Sequence, residues 1–120
     1  MGGLLRAGVA VGVGLAGLVW VAWPGAAVAA AAPAGYQIAQ QNACLGCHAV
    51  DRKLVGPGFR DIAAKYKGDS GAQGRLEKKV RDGGAGVWGV IPMPSHPRMS
   101  DADIRTVVGW VLSGAPISGK

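Results

Sequence analysis

The sequence predicts an all-α fold of about four short helices joined by long loops. Apolar residues recur at intervals of three and four in several segments, and this spacing places them on one face of a helix. No segment alternates polar and apolar residues for long enough to predict a sheet. At 120 residues, the chain is long enough for one ordinary domain and too short for two.

The first 30 residues are predicted to be a signal peptide and not part of this fold. Arg6 precedes an apolar run over 7–23, and a small-x-small motif follows at 27–29, which is the order of features in a cleaved export signal. The run is also nearly long enough to span a bilayer, so its retention as an anchor on the outer face of the inner membrane is the alternative. In both cases the domain at 31–120 is expected outside the cytoplasm, in the periplasm.

The predicted helices span 36–43, 59–65, 75–82 and 101–113. The last is the clearest, because its apolar residues form a single stripe and Ser100 supplies a typical N-cap. Gly83 follows the third helix at the position where a glycine often ends one. The glycine- and proline-rich stretch at 83–99 is predicted to be a long loop. Loops of this length in small domains are usually functional.

The domain has few large side chains with which to build a core. The chain contains four Trp, two Tyr and one Phe, and Trp20 and Trp23 belong to the predicted signal peptide. A domain of about 90 residues buries only a modest fraction of its surface. We therefore expect a bound group to fill the centre.

The two cysteines predict which group this is. The sequence Cys44-Leu45-Gly46-Cys47-His48 has the spacing of a c-type haem attachment site. Two thiols three residues apart can each form a thioether with the haem, and the adjacent imidazole is a suitable axial ligand for its iron. The expected cofactor is one haem c, held covalently through two thioethers.

Other interpretations of the cysteine pair have less support. A thioredoxin-like redox disulfide normally accompanies a βαβ pattern, which the sequence lacks. A zinc site needs two further Cys or His ligands, whereas the chain has only two histidines, and one of them adjoins Cys47. A structural disulfide is compatible with an exported protein, but a bridge that closes so small a loop would stabilise little.

A second axial ligand is expected in the glycine- and proline-rich loop. Met93 lies between Pro92 and Pro94. Proline restricts its own φ and the conformation of the residue before it, so the thioether is held on a stiff segment. Met99 is expected to pack at the start of the last helix. His96 is expected to be exposed, and ligation by it is a minor alternative to Met93.

These motifs resemble those of class I cytochromes c, of the small single-haem bacterial type called c551/c552-like or the cytochrome c8 group. The resemblance covers 36–113, and its landmarks come in the family's order. They are Cys44-Leu45-Gly46-Cys47-His48, Val55-Gly56-Pro57, Gly86-Val87-Trp88-Gly89, Ile91-Pro92-Met93-Pro94 and Trp110-Val111-Leu112. The resemblance implies the cytochrome c fold, in which about four short helices and long loops wrap around one covalently bound haem.

The resemblance also implies roles for individual residues. Cys44 and Cys47 would carry the haem, and His48 and Met93 would ligate its iron. The carbonyl of Pro57 would accept a hydrogen bond from His48, and such a partner fixes the ring orientation and tunes the metal.

Further residues are implied to lie near a haem propionate. Trp88 would lie beside it, with simple core packing as the alternative, and Lys79 or Arg81 would neutralise it. In this type the third residue after the ligand Met is often an Asn that hydrogen-bonds the sulfur, whereas this chain has His96. The sulfur orientation and the fine value of the reduction potential are therefore open.

Ligation by His and Met predicts an electron carrier and not an enzyme. A six-coordinate iron has no site for a substrate, and a thioether ligand favours the ferrous state. We therefore expect a periplasmic protein that cycles one electron through its haem between respiratory redox partners. Two alternatives stay open: a haem c subunit of an oxidoreductase complex, and a five-coordinate haem that binds small ligands.

The whole chain has a net charge of +6, and without Arg6 of the predicted signal peptide the exported domain keeps +5, which is expected to act in partner binding. Nucleic acid is rejected as the partner, because the domain is exported and its lysines alternate with acidic residues and glycines. The basic surface is instead expected to meet acidic patches on an upstream donor and on a reductase or oxidase. Membrane contact is expected only if the N-terminal segment is retained.

Overall fold

The computed structural model describes residues 30–118, together with isolated positions 2, 3, 8, 10, 12, 17 and 25. Its helices are α1 (Ala34–Gln41), α2 (Phe59–Lys65), α3 (Ala72–Asp82) and α4 (Asp101–Leu112), with a 3-10 turn at Cys44–Gly46. The predicted mainly helical class is confirmed. The predicted signal peptide, with the anchor that is its alternative, lies outside the described residues. In the part of the chain that is described, no helix combines the length and apolar character that a membrane crossing requires.

The predicted long loop contains a small antiparallel hairpin, which the sequence analysis did not predict. Strand β1 (Gly84–Gly86) pairs with strand β2 (Gly89–Met93), with Gly84 opposite Met93 and Gly86 opposite Gly89. Gly86 and Gly89 flank the turn with φ values of 117° and 118°, a conformation that glycine adopts readily. Strands this short and glycine-rich carry no detectable alternation of polar and apolar residues, so the pattern could not reveal them.

Two helices begin earlier than predicted. Helix α1 is displaced by two residues toward the N-terminus, and α3 starts at Ala72 instead of residue 75. The end of α3 is as predicted, because Gly83 has φ 71° and its N–H bonds to the carbonyl of Lys79 at 2.8 Å. A Cβ on Gly83 would lie 2.4 Å from the backbone oxygen of Met93. The glycine therefore both ends the helix and lets the last residue of β2 lie against it.

Helix α4 is the centre of the packing and contacts α1, α2 and α3. Its N-cap is Ser100, as predicted, with the side-chain oxygen accepting from the N–H of Asp103 at 3.0 Å. Its buried residues are Ile104, Val107, Val108, Trp110 and Val111. Met99, just before the cap, is buried in the same core, which agrees with the packing role predicted for it.

The crossing of α1 and α4 is close because of one glycine. A Cβ on Gly35 would lie 2.1 Å from the Cβ of Trp110, so only glycine allows this approach. The Trp110 ring contacts Tyr36 of α1 and Phe59 of α2 edge-on, with ring centroids 5.9 Å and 5.2 Å away. Trp110 therefore joins three helices.

The segment after α4 covers Trp110 from the other side. The indole N–H of Trp110 donates to the carbonyl of Pro116 at 2.9 Å. The N–H of Ala115 donates to the Trp110 carbonyl at 3.1 Å, and Ala115 has no exposed surface. The chain is thus tied down through residue 116.

Candidate cofactor site

A cavity of about 390 Å³ opens between the 3-10 turn, the hairpin and helices α2, α3 and α4. This volume lies within the range of about 300–1,000 Å³ that is usual for cofactor sites. Most of its lining is apolar. The polar side chains on it are Cys44, Cys47, His48, Lys53, Tyr66, Trp88 and Lys79, and no acidic side chain of the described residues lines it.

The two cysteines lie on the short 3-10 turn, which follows Ala43 in the left-handed conformation at φ 57°. The carbonyl of Cys44 accepts the N–H groups of Cys47 at 3.2 Å and of His48 at 2.9 Å, so the turn fixes all three residues. Both thiols are free and half-buried, and both line the cavity. Burial raises the pKa of the Cys44 thiol, and the neighbouring Cys47 adds to this, while a backbone hydrogen bond opposes it.

His48 is buried, and its ring is held from several directions. Its Nδ1 lies 2.7 Å from the carbonyl oxygen of Pro57, the partner implied in the sequence analysis. A carbonyl can only accept, so Nδ1 is the donor. In the neutral imidazole this leaves the lone pair of Nε2 for a metal. A Cβ on Gly56 would lie 2.6 Å from Cε1 of the ring. Glycine is therefore needed for the backbone to approach the imidazole this closely.

Phe59 is a site residue that the sequence analysis missed. Its ring stacks on the His48 imidazole with centroids 5.1 Å apart and planes 18° apart, and it also lines the cavity. From the sequence, Phe59 is only the first residue of the predicted helix over 59–65. The available signal was its position two residues after Pro57, the partner of the imidazole.

Met93 lies at the end of β2, is half-buried and lines the same cavity as His48. Pro92 and Pro94 on either side line the cavity too. The structure therefore brings Cys44, Cys47, His48 and Met93 together around one space, although Met93 is far from the others in sequence.

Trp88 lies at the cavity with 41% of its surface exposed, which differs from simple core packing. The ammonium group of Lys65 lies 5.4 Å from the centre of its ring, and Lys79 also lines the cavity. Arg81 is engaged elsewhere. It donates to the carbonyl of Met99 at 2.7 Å and pairs with Asp101, so of the two cations proposed for a propionate only Lys79 borders the cavity.

The prediction that His96 is exposed is wrong. The residue is half-buried, and its Nδ1 is buried without a hydrogen-bond partner among the described residues. Its N–H bonds to the carbonyl of Val80 at 3.1 Å and its carbonyl accepts from Arg81 at 3.1 Å. These bonds tie His96 to the end of α3. It is not among the residues that line the cavity.

The residues present fit a covalently bound haem. The cavity supplies an apolar lining, two free thiols, one imidazole nitrogen and one thioether, which are the donors that a haem c uses. Val55, Val87 and Ile91 border the cavity with more than half of their surface exposed. A flat apolar ring system in the cavity would cover such side chains. Lys79 offers a positive charge for an acidic substituent.

Comparisons with known proteins agree with this assignment. The sequence profile of the family described as Cytochrome c matches residues 32–115. Cytochrome c-551 of Allochromatium vinosum is 47% identical over 85 residues, which cover 71% of this chain and 90% of that protein. Cytochrome c-552 of Nitrosomonas europaea is 44% identical over 86 residues, with 72% and 84% covered. The crystal structure of wild-type N. europaea cytochrome c552 superimposes with a TM-score of 0.63 at 43% identity, and covers 66% of this chain and 98% of that one.

Proposed function

The chain belongs to the cytochrome c family, and from this premise we propose that it is a periplasmic electron carrier whose haem iron is ligated by His48 and Met93. Membership makes it an electron-transfer protein and not an enzyme, with one covalently bound haem c. When bound, the haem supplies one-electron redox chemistry, and the protein supplies orientation and surroundings.

Cys44 and Cys47 would hold the haem through thioethers. Both thiols are free and line the cavity, and the turn between them fixes their separation through the bonds to the Cys44 carbonyl. The same turn carries His48 directly after Cys47. Attachment and ligation on this side therefore rest on a single rigid segment.

His48 would ligate the iron through Nε2. The bond from Nδ1 to the Pro57 carbonyl would keep the proton on Nδ1 and leave Nε2 available for the metal. It would also make Nε2 a stronger electron-pair donor to the metal, because donating a hydrogen bond from Nδ1 gives the ring more negative charge. Burial of the ring limits access of water to this side.

Met93 would supply the second ligand from the hairpin. Its thioether is half-buried on the cavity, and the adjacent prolines restrict the backbone that presents it. With His48 and Met93 both bound to the iron, no coordination position would be left for a substrate. This ligand set supports electron transfer.

The basic side chains on and beside the cavity support the proposal of an acidic redox partner. Lys53 and Lys79 line the cavity and Lys65 lies over Trp88, whereas no acidic side chain of the described residues lines it. Val90, also on the lining, is 91% exposed. Carboxylates on a partner would steer the encounter, and an apolar contact at Val90 would form in a small, short-lived interface.

The observation that carries the proposal is that His48 and Met93 line one cavity beside two free thiols. In the oxidised holoprotein, Met93→Ala should abolish the weak far-red absorption band that arises from sulfur on ferric iron. It should also lower the reduction potential, because a ligand that favours Fe(II) is lost, and allow cyanide or carbon monoxide to bind.

Met99→Leu is the matched control, because Met99 is buried in the core and does not line the cavity. It should leave the band, the potential and ligand binding unchanged. If Met99→Leu removed the band and Met93→Ala kept it, the assignment of the second ligand would be wrong.

A further inference from the structure

We propose that Phe59 is a positioning residue for His48, whose ring fixes the rotation of the imidazole plane and is itself held by the α1–α4 crossing through Trp110. This inference rests on the proposed function, in which His48 ligates the iron. It adds a determinant of the iron's electronic state that lies outside the ligands and the Pro57 hydrogen bond.

The hydrogen bond alone does not define the ring plane. The contact between Nδ1 and the Pro57 carbonyl fixes one atom of the imidazole, and the backbone at Gly56 limits movement near Cε1. Neither of them is a flat surface that runs parallel to the whole ring. The orientation of an axial imidazole affects the electronic state of the iron, because the orbitals of the ring overlap with those of the metal. A second contact that defines the ring plane would therefore influence this electronic state.

Phe59 supplies a contact with this geometry. The two rings are nearly parallel, with planes 18° apart and centroids 5.1 Å apart, and Phe59 has only 4% of its surface exposed. Its backbone is tied to the same segment as the histidine, because its N–H donates to the carbonyl of Ala49 at 2.9 Å. Any rotation of the imidazole plane therefore has to displace a buried ring.

Phe59 is in turn prevented from moving by its own neighbours. Trp110 meets it edge-on, with planes 72° apart, and meets Tyr36 of α1 in the same way, with planes 66° apart. Gly35 lets Trp110 lie directly against α1. Four rings thus form a continuous row from α1 to the cavity, in the order Tyr36, Trp110, Phe59 and His48.

The test uses the holoprotein and compares Phe59→Leu with Phe59→Tyr. Leucine keeps an apolar side chain but removes the ring, whereas tyrosine keeps the ring. Phe59→Leu should shift the g values of the ferric electron paramagnetic resonance spectrum, the pattern of haem-methyl NMR shifts and the reduction potential. Phe59→Tyr should retain the pattern of methyl shifts of the wild type.

Ile104→Val is the control, because Ile104 is buried in the same core but does not line the cavity. It should lower thermal stability and leave the spectra unchanged. Trp110→Phe tests the contact that holds Phe59 in place. It should shift the haem-methyl pattern in the same direction as Phe59→Leu, by a smaller amount. It also keeps the proposal testable if Phe59→Leu does not fold.

Unchanged spectra in Phe59→Leu or in Trp110→Phe would overturn the proposal, as would an equal shift in Ile104→Val. These outcomes differ from a failure of the proposed function. In that case the wild-type protein itself would lack the far-red band and the low-spin spectrum of His and Met ligation.

Discussion

The two walls of the cavity are held in different ways. On the proximal wall, residues 44–59, His48 is buried and is contacted by the Pro57 carbonyl, by Gly56 and by the ring of Phe59. The distal wall, residues 83–94, is the hairpin, whose strands β1 and β2 pair with each other. The apolar side chains of this wall are exposed to solvent: Val90 is 91% and Ile91 is 62% exposed.

This difference indicates which of the two proposed ligands, His48 or Met93, is held more firmly by protein contacts. The proximal wall is continuous with the core, because Phe59 packs on Trp110 and Trp110 on α1. The distal wall meets α3 at its two ends. Gly83 directly follows the last residue of α3, and His96, two residues after the wall, bonds to the carbonyl of Val80. In the folded protein the core packs directly against His48, whereas the haem would have to cover the exposed apolar side chains around Met93.

The strongest test of this comparison removes the haem from both walls. Cys44→Ala combined with Cys47→Ala should abolish covalent haem, measured as the colour retained by the protein after acid–acetone extraction. Because the core is small, the haem-free chain should lose most of its helical circular dichroism and melt without cooperativity. Haem retained after extraction would contradict the assignment of Cys44 and Cys47 as the attachment residues. A cooperative, native-like haem-free chain would show that the core suffices alone.

The next test acts on the core behind the proximal wall. Gly35→Ala should lower the free energy of unfolding by about 3 kcal/mol, because the new methyl would overlap Trp110 and force α1 and α4 apart. Denaturant titration of the holoprotein measures this. Gly74→Ala is the matched control, since Gly74 lies within α3 with open space around it, and alanine there should be neutral or stabilising. Equal stability in both variants would contradict the close crossing.

The smallest expected effect concerns the distal wall. Gly83→Ala should lower the free energy of unfolding by about 2 kcal/mol, because its backbone angles, φ 71° and ψ −157°, lie in a region that only glycine adopts readily. The new methyl would also press on the Met93 carbonyl. The far-red band should therefore disappear on heating before the helices melt.

Gly68→Ala provides the control for backbone strain alone. Gly68 has φ +79° but no atom near the position of a Cβ. In Gly68→Ala, the far-red band should therefore disappear at the same temperature at which the helices melt. If Gly83→Ala also lost both at one temperature, the distal wall would be as firmly held as the proximal one.

The parts of the site that the sequence predicted are those with local signals. Cys44, Cys47 and His48 are close in sequence, and Met93 is marked by its prolines, so residue type and spacing were sufficient to select residues that line one cavity. The hairpin was missed because its strands are too short to show a period. The stacking of Phe59 on His48 was missed because it depends on how α2 sits on the preceding loop. The engagement of Arg81 with the residues before α4 depends likewise on tertiary contacts.

The cover over Trp110 has a consequence for attaching the protein to a surface. The bonds of Ala115 and Pro116 anchor the backbone up to residue 116, while Ile117 is 59% exposed. No residue after Val111 lines the cavity among those described. A cysteine or peptide tag introduced after Ile117 should therefore immobilise the protein on an electrode with the cavity mouth unobstructed. A truncation that removed Pro116 would instead uncover the indole at the junction of three helices.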